Sequence, residues 1–582
     1  MKKTCIRDCF FLFVLMYISI YMSIYLKNEI VWDFANYHYY NVWAFLNNRL
    51  NWDIVPATFT TFLNPFIDFP LYFYIQWFNN YPDLIWGLQG IWGGLLLFYV
   101  YKTYALFFDF DQLQHWIVFG VLCVVILTGW GTISQWGSSA NEIPVAFFIL
   151  WGFYLLLKMI KYPEKQQFIN FFIAGFIMGI ALGFKQTVIT YCVASGATLI
   201  ICYKYFSKPL KNISFFVLGG LIGYLIINGY FMYKYWILYQ NPMFPFLNGV
   251  FHSPYFDNLN YYDNIYPPSW KNFIFFPFQW FQNPHRISTE YYSDIHLTLF
   301  YITVMLILAS LNFKNIRKKF LQDKMKVFLL IFFFISFYFW LFEFAFLRYA
   351  VVLEVIGAII LAVWVVYLFP KKTISFIFCS VFAIIFADVL YENFYSDFST
   401  IKIIETDKKR LYVEPINLPE NTLVKIYGMP GASLIPFFEK GDKSVRAVGH
   451  EQYFAEGSDF AERGAFRAMR DEVEKKHKGM TVFLFYKYPK KRYISEIREF
   501  FSSADLLELI KPESLEEYCI NGADKIVRCA NWPTLWKALK EEMGDKYFCK
   551  MLDTNMLKKG MYICVPKGTE KQIFENIEKT YE

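Results

Sequence analysis

Residues 9–27 read CFFLFVLMYISIYMSIYLK. This run is long enough to cross a bilayer as a helix, which takes about 20 apolar residues. Lys2, Lys3 and Arg7 precede it, as in a signal peptide. The core is too long for a cleaved signal, and no small-residue cleavage site closes it, so the sequence predicts a retained anchor. Similar runs recur up to about residue 393, and beyond that point charged and apolar residues are mixed. The chain of 582 residues is 56% hydrophobic and 22% aromatic but only 18% charged, below the roughly 25% of a soluble protein. The expected fold is therefore an α-helical polytopic membrane domain over residues 1–393, followed by a small soluble α/β domain over 394–582.

About eleven spans are expected: roughly 9–27, 84–101, 116–131, 143–160, 168–183, 187–203, 213–231, 295–312, 327–345, 350–369 and 373–391. With the N-terminus inside, alternate loops should be rich in Lys and Arg. They are. One set carries Lys158, Lys161 and Lys165, then Lys204, Lys208 and Lys211, then Lys314, Arg317, Lys318, Lys319, Lys324 and Lys326, then Lys371 and Lys372. The other set, residues 28–83, 131–142, 184–186, 232–294 and 346–349, is assigned to the outside together with the tail. The net charge of +7 thus argues for orientation in a membrane, not for nucleic-acid binding. The expected location is the inner (cytoplasmic) membrane, multi-pass, with a cytoplasmic N-terminus and an extracytoplasmic C-terminal domain.

The tail alternates strand and helix patterns. TLVKIYGMP (422–430) and MTVFLFYKY (480–488) read as strands, and FAERGAFRAMRDEVEKKHKG (460–479) and YISEIREFFSSADL (493–506) as helices. Four cysteines lie here, Cys519, Cys529, Cys549 and Cys564. An outside location permits two disulfides with three possible pairings. Zinc is the rival reading, and the missing C-x-x-C pair argues against it. Nothing in the tail marks a nucleophile or a phosphate loop, so its expected role is support or acceptor docking.

Charges near a membrane are costly and tend to be paired or functional. Directly after the first span comes WDFANYHYYNVWAFLNNRLNWD (32–53), with Asp33, Asn36, His38, Asn41, Arg49 and Asp53. The bland reading of Asp33 is an interfacial aspartate among belt aromatics. The following PATFTTFLNPFIDFPLYFY (56–74) is too apolar for an exposed linker and fits surface helices. In SQWGSSANEIPVAFF (134–148), Glu142 precedes Pro144 at a helix start, where an acid and a proline serve as ordinary helix-initiating residues. Lys185, in ALGFKQT, is either a snorkelling or an anion-binding lysine. Arg348 and Tyr349 open the tenth span, where arginine suits a phosphate or a carboxylate, with Glu354 as a candidate partner. The loop NPMFPFLNGVFHSPYF (241–256), with Asp263 beyond it, fits a substrate groove or a rigid packed loop. Two carboxylates and two cations at one face are the inventory for breaking a bond to a lipid-linked phosphate.

In this order, WDFANYHYYNVWAFLNNR, NEIP, ALGFKQT and LRYAVVLE resemble motifs of the polytopic glycosyltransferases of the C superfamily (GT-C). That group includes the protein O-mannosyltransferases and the aminoarabinose transferases, and the resemblance covers about residues 10–395. The lone Asp33 departs from the acidic pair of the O-mannosyltransferases. The resemblance implies a polyprenyl-phosphate sugar donor, a glycan, lipid or protein acceptor on the outer side, and inversion at the anomeric carbon. It implies Asp33 as catalytic base, and Lys185 and Arg348 as holders of the leaving phosphate. Glu142, His38, Asn36 and Tyr349 are further substrate-binding candidates. No cofactor is required by it, although Glu142 leaves room for a divalent metal. Two rival functions are a lipid-linked glycan flippase or transporter, and an O-antigen ligase or polymerase. A transporter typically carries internal repeats, and none is visible here. A ligase would place its chemistry in a late outer loop such as 232–294, which holds His252, His285 and Arg286.

Overall fold

The computed structural model describes residues 2–27, 33–165, 167–256, 273–282, 294–368, 380, 409–427, 430–441, 443–450, 464–486, 518–521, 525–528, 539–540, 542–556 and 561–574. The chain forms two compact units. The first comprises Met1–Glu29, Asp83–Tyr230 and Asp263–Glu405; the second comprises Ile30–Pro82, Phe231–Tyr262 and Thr406–Glu582.

The first unit is helical. Among the described residues, six helices are long and apolar enough to cross a membrane: Ile6–Leu26, Pro82–Phe107, Glu142–Lys161, Pro209–Tyr239, Lys324–Glu343 and Leu347–Tyr367. From Phe231 onward, helix Pro209–Tyr239 belongs to the second unit. A seventh crossing results if His296–Ser310 and Lys314–Gln322, bent by 112°, make one span. The chain is thus consistent with a multi-pass membrane protein. Three further expected spans are shorter apolar helices, Leu113–Thr128, Phe168–Phe184 and Gln186–Ile201. The eleventh, 373–391, lies almost wholly outside the described residues.

Glycines set how closely two of these helices approach. A Cβ on Gly179 would fall 2.1 Å from the Gly220 carbonyl oxygen, and one on Gly219 would fall 2.1 Å from that of Phe172. Helices Phe168–Phe184 and Pro209–Tyr239 therefore touch backbone to backbone, the contact that small residues allow between membrane helices. This contact fixes the helix that ends at Lys185.

The second unit is built on a five-stranded sheet of order β2-β1-β3-β7-β6. The strands are β1 (Thr422–Tyr427), β2 (Val445–Gly449), β3 (Thr481–Tyr486), β6 (Tyr547–Met551) and β7 (Met561–Pro566); β4 (Tyr518–Asn521) and β5 (Lys525–Arg528) form a separate hairpin. Strand β1 pairs in parallel with β2 and β3, whereas β7 runs antiparallel to β3 and β6. Helix Gly464–Lys476 connects β2 to β3, as a parallel crossover requires. The helix expected at 493–506 lies outside the described residues. Cys549 and Cys564 stand opposite each other in β6 and β7 and form a disulfide. Cys529 lies outside the described residues, and only the backbone of Cys519 is described.

The tail does not pack by itself. Ile54 bridges Val448 in parallel, receiving Gly449 N–H at 2.8 Å and donating to Ala447 at 3.0 Å. The first loop thus covers the open edge of β2, which would otherwise present unpaired backbone groups. One core joins Ile54, Val55 and Phe62 to Phe231, Tyr235, Tyr239, Phe244 and Phe256, and to Leu423, Val448 and Phe466. Three stretches far apart in sequence share that core.

Candidate functional site

In the first unit, four of the sequence-predicted residues meet. Glu142 begins helix Glu142–Lys161, and Asn141 before it turns the chain with a φ of 64°. Lys185 sits where helix Phe168–Phe184 breaks before the next helical turn. Arg348 and Tyr349 lie in the tight turn Leu347–Ala350 that leads into helix Val351–Leu368. Three helix boundaries thus deliver side chains to one place.

The Lys185 ammonium is 2.5 Å from Glu142 Oε1 and 3.0 Å from the Ala140 carbonyl oxygen. Arg348 Nε lies 4.0 Å from the same Glu142 oxygen. Tyr349 joins the two cations: the Lys185 ammonium is 5.6 Å from its ring centroid, and Arg348 Nη2 donates to its hydroxyl at 3.2 Å. Tyr191 donates to the Tyr349 carbonyl at 2.6 Å and fixes that turn. Exposure rises from 3% at the Glu142 side chain to 14% at Lys185 and 27% at Arg348. One buried carboxylate therefore organises two cations, and their remaining positive charge is directed toward the more exposed side. Such an arrangement suits an incoming anion.

Glu354 is not the partner of Arg348. Its Oε1 accepts from Gly131 N at 3.0 Å, and its Oε2 accepts from the Thr132 hydroxyl at 2.6 Å. In the first turn of helix Val351–Leu368, it points at the 129–132 segment rather than back at Arg348. Beside it lies a second polar group that sequence reading missed. Asp294 accepts from His296 Nδ1 and from Trp130 N, each at 2.7 Å, and His296 Nε2 is 3.1 Å from the Thr128 hydroxyl. The available signal was SDIH (293–296), an acid two residues before a histidine at a helix start.

Asp33, Asn36 and His38 belong to the second unit. Asp33 is half-buried and immediately precedes a π-helical turn, Phe34–His38. Such turns are frequent at functional sites. Asn36 is fully buried and donates to Thr60 Oγ1 at 3.1 Å. His38 Nδ1 lies 2.8 Å from Asp68 Oδ1, with both side chains buried. These contacts make Asn36 and His38 parts of the frame around the turn. Asn41 does the same, donating to the Thr60 and Leu63 carbonyls.

A divalent metal does not fit at Glu142, because an ammonium already occupies its carboxylate and a guanidinium faces it. Among the described residues, no group of three or more His, Cys, Asp or Glu side chains could hold a metal ion. In the loop 232–294, Asp263, His285 and Arg286 lie outside the described residues. His252, which is described, ends a short helical turn with a φ of 55°. No protein-family model and no curated protein matches this chain.

Proposed function

We propose that this chain is a membrane glycosyltransferase that moves a sugar from a polyprenyl-phosphate donor to an acceptor hydroxyl on the outer face of the inner membrane. The observation that carries the reading is the cluster of Glu142, Lys185, Arg348 and Tyr349. It has two cations for one carboxylate, and its more exposed member is the arginine. In this reading Lys185 and Arg348 hold the phosphate that leaves, and Glu142 holds the cations in place beforehand. Asp33 takes the acceptor proton. The acceptor oxygen bonds to the anomeric carbon from the face opposite the phosphate, the carbon–oxygen bond to phosphate breaks, and the polyprenyl phosphate departs with the electron pair. That displacement inverts the anomeric centre. A carboxylate of ordinary basicity suffices when the hydroxyl gives up its proton late, toward an oxocarbenium-like centre.

The eleven-crossing topology with an external tail belongs to the same reading. Two features support it. Residues 30–82, 231–262 and the tail, which the charge pattern assigns to one side, pack as one unit. The Cys549–Cys564 disulfide suits an oxidising compartment.

The test is purified protein with radiolabelled polyprenyl-phosphate sugar and a cell-envelope extract. Wild type should transfer label, and Asp33→Asn should lose transfer by two orders of magnitude or more. Equal transfer by both would remove Asp33 from the mechanism, and no consumption of any such donor would remove the enzyme reading. Sidedness is tested separately with Lys567→Cys, an exposed position in the tail. A membrane-impermeant maleimide should label it on intact spheroplasts.

A further inference from the structure

Helix Glu142–Lys161 starts at the carboxylate just described and ends at a cavity of about 460 Å³. Its 20 residues span about 30 Å, at 1.5 Å per residue. Helix Val351–Leu368 likewise runs from the Arg348 turn to Tyr367 at the cavity. The cavity and the Glu142 cluster therefore lie at opposite ends of the same two helices.

Lys161, Lys319, Lys324 and Lys326 line this cavity, with Asp323 as the one carboxylate. Asp323 is already engaged, accepting from Lys326 N at 3.2 Å and pairing with the Lys326 ammonium at 3.0 Å. Two ammonium groups converge on one ring, Lys326 at 4.0 Å and Lys319 at 4.9 Å from the Tyr367 centroid. The Tyr367 hydroxyl is buried and has no hydrogen-bond partner among the described residues. A buried hydroxyl left unpaired is costly, on the order of 1–3 kcal/mol. Here it offers a donor where the surrounding charge favours a negative oxygen. The segment that brings Lys319 is also suited to a membrane surface. Helix Lys314–Gln322 (KNIRKKFLQ) follows a 112° bend, buries Phe320 and leaves Phe313 and Leu321 exposed beside its basic residues. A basic, bent-over helix of this kind lies along a bilayer with its cations at headgroup depth.

We propose that this cavity is a site for a phosphate group, filled either by the headgroup of an anionic phospholipid or by free phosphate. The lysines supply charge-assisted hydrogen bonds to the phosphate oxygens, and the Tyr367 hydroxyl supplies a neutral one. The proposal is independent of the glycosyltransferase reading and concerns the other end of the first unit.

The experiment is native mass spectrometry of the full-length protein in mild detergent, with added phosphatidylglycerol, phosphatidylcholine or inorganic phosphate. Wild type should retain phosphatidylglycerol at least tenfold over phosphatidylcholine. K319Q/K326Q should lower that retention at least fivefold. Tyr367→Phe, which leaves every charge in place and removes little volume, should lower it about threefold. Neutralising Lys204 and Lys208, in another basic turn, should leave it unchanged. If millimolar phosphate gives its own adduct and displaces the lipid, free phosphate is the occupant; if it does neither, the lipid is. Equal retention by wild type and K319Q/K326Q would overturn the site. So would an equal loss in the Lys204 and Lys208 variant, which would reduce the effect to diffuse attraction.

Discussion

Arg49 and Asp53 form a two-pronged ion pair, 2.8 Å from Nε to Oδ2 and 2.9 Å from Nη2 to Oδ1, with each side chain 1% exposed. The same guanidinium reaches Glu439 at 2.7 Å and the Val445 carbonyl at 2.6 Å, while Asp53 accepts from Ala447 N at 2.8 Å. Tyr40 adds a hydrogen bond to Asp53 at 2.7 Å. Two of the six polar residues named in 32–53, Arg49 and Asp53, thus have a structural cause: they bolt the first loop to the tail within the second unit.

Two aspartates one helix apart should therefore behave differently. Asp53→Asn removes a charge that a buried arginine needs, which costs about 3–5 kcal/mol. Thermal unfolding in detergent, followed by tail-specific proteolysis, should show a clear loss of stability. Asp33→Asn, at a half-buried position, should melt within about 1 kcal/mol of wild type while losing transfer. If Asp33→Asn is the less stable of the two, the division of roles fails.

In the first unit, Lys185→Met and Arg348→Met should each lower transfer by about 10²–10³-fold, the loss typical when a preorganised charge is removed from a leaving group. Arg348→Lys should recover only part of it, because an ammonium does not reproduce the planar fork. Glu142→Gln should be more harmful to folding than either cation variant. It leaves Lys185, whose side chain is 14% exposed, without its counter-charge. Steady-state transfer and melting curves on the same preparations separate these effects.

The tail carries its own acid-sensitive contact. Burial alone would raise the pKa of Glu474, but the hydrogen bond and charge of His450, then those of Lys425, hold it down to about 2. His450 Nε2 is 2.6 Å from Glu474 Oε1, and the Lys425 ammonium is 2.7 Å from Oε2. A carboxylate depressed on folding stabilises the fold fully above its ordinary value of 4.5 and loses that contribution as pH falls toward 2. With solvent screening of a partly exposed pair allowed for, the loss should be about 1–2 kcal/mol. Melting of the tail between pH 6 and pH 2.5 should therefore fall less steeply in Glu474→Gln than in wild type, from a lower starting point.

The membrane class and the position of most long helices were legible in the sequence, because an apolar run of about 20 residues has few other uses. Charge parity also assigned the helix ends carrying Glu142, Lys185 and Arg348 to one side, but it did not announce that Glu142 would face both cations. Span count was less legible. Hydropathy does not report where a helix stops, so 116–131, 168–183 and 187–203 read as full crossings although the helices there, Leu113–Thr128, Phe168–Phe184 and Gln186–Ile201, are shorter than a bilayer-spanning helix. The Glu354 pairing was misread for a related reason. Proximity in sequence suggested Arg348, whereas the partner, Thr132, is 222 residues away in sequence. The union of the first loop with the tail was invisible, because nothing local in residues 32–53 announces that Ile54 will bridge Val448.

Glu354 gives the last prediction. Cβ atoms added to Gly129 and Gly131 would fall 2.8 and 2.7 Å from its two carboxylate oxygens, so the Gly-Trp-Gly segment closes around the carboxylate at a distance that only glycine permits. Glu354 is 1% exposed, so it has no open space to retreat into. Glu354→Leu leaves the Gly131 amide and the Thr132 hydroxyl buried without an acceptor, at about 1–3 kcal/mol for each group. Glu354→Gln should cost much less, because its amide oxygen can accept from Gly131 while its NH₂ donates to Thr132. Gly131→Ala should fall between them, since the added methyl also meets the Leu347 carbonyl oxygen at 3.1 Å. Melting temperatures in the order wild type, Glu354→Gln, Gly131→Ala, Glu354→Leu would assign Glu354 to holding this segment, which leads directly to Glu142. A Glu354→Gln variant as unstable as Glu354→Leu would instead require the negative charge itself.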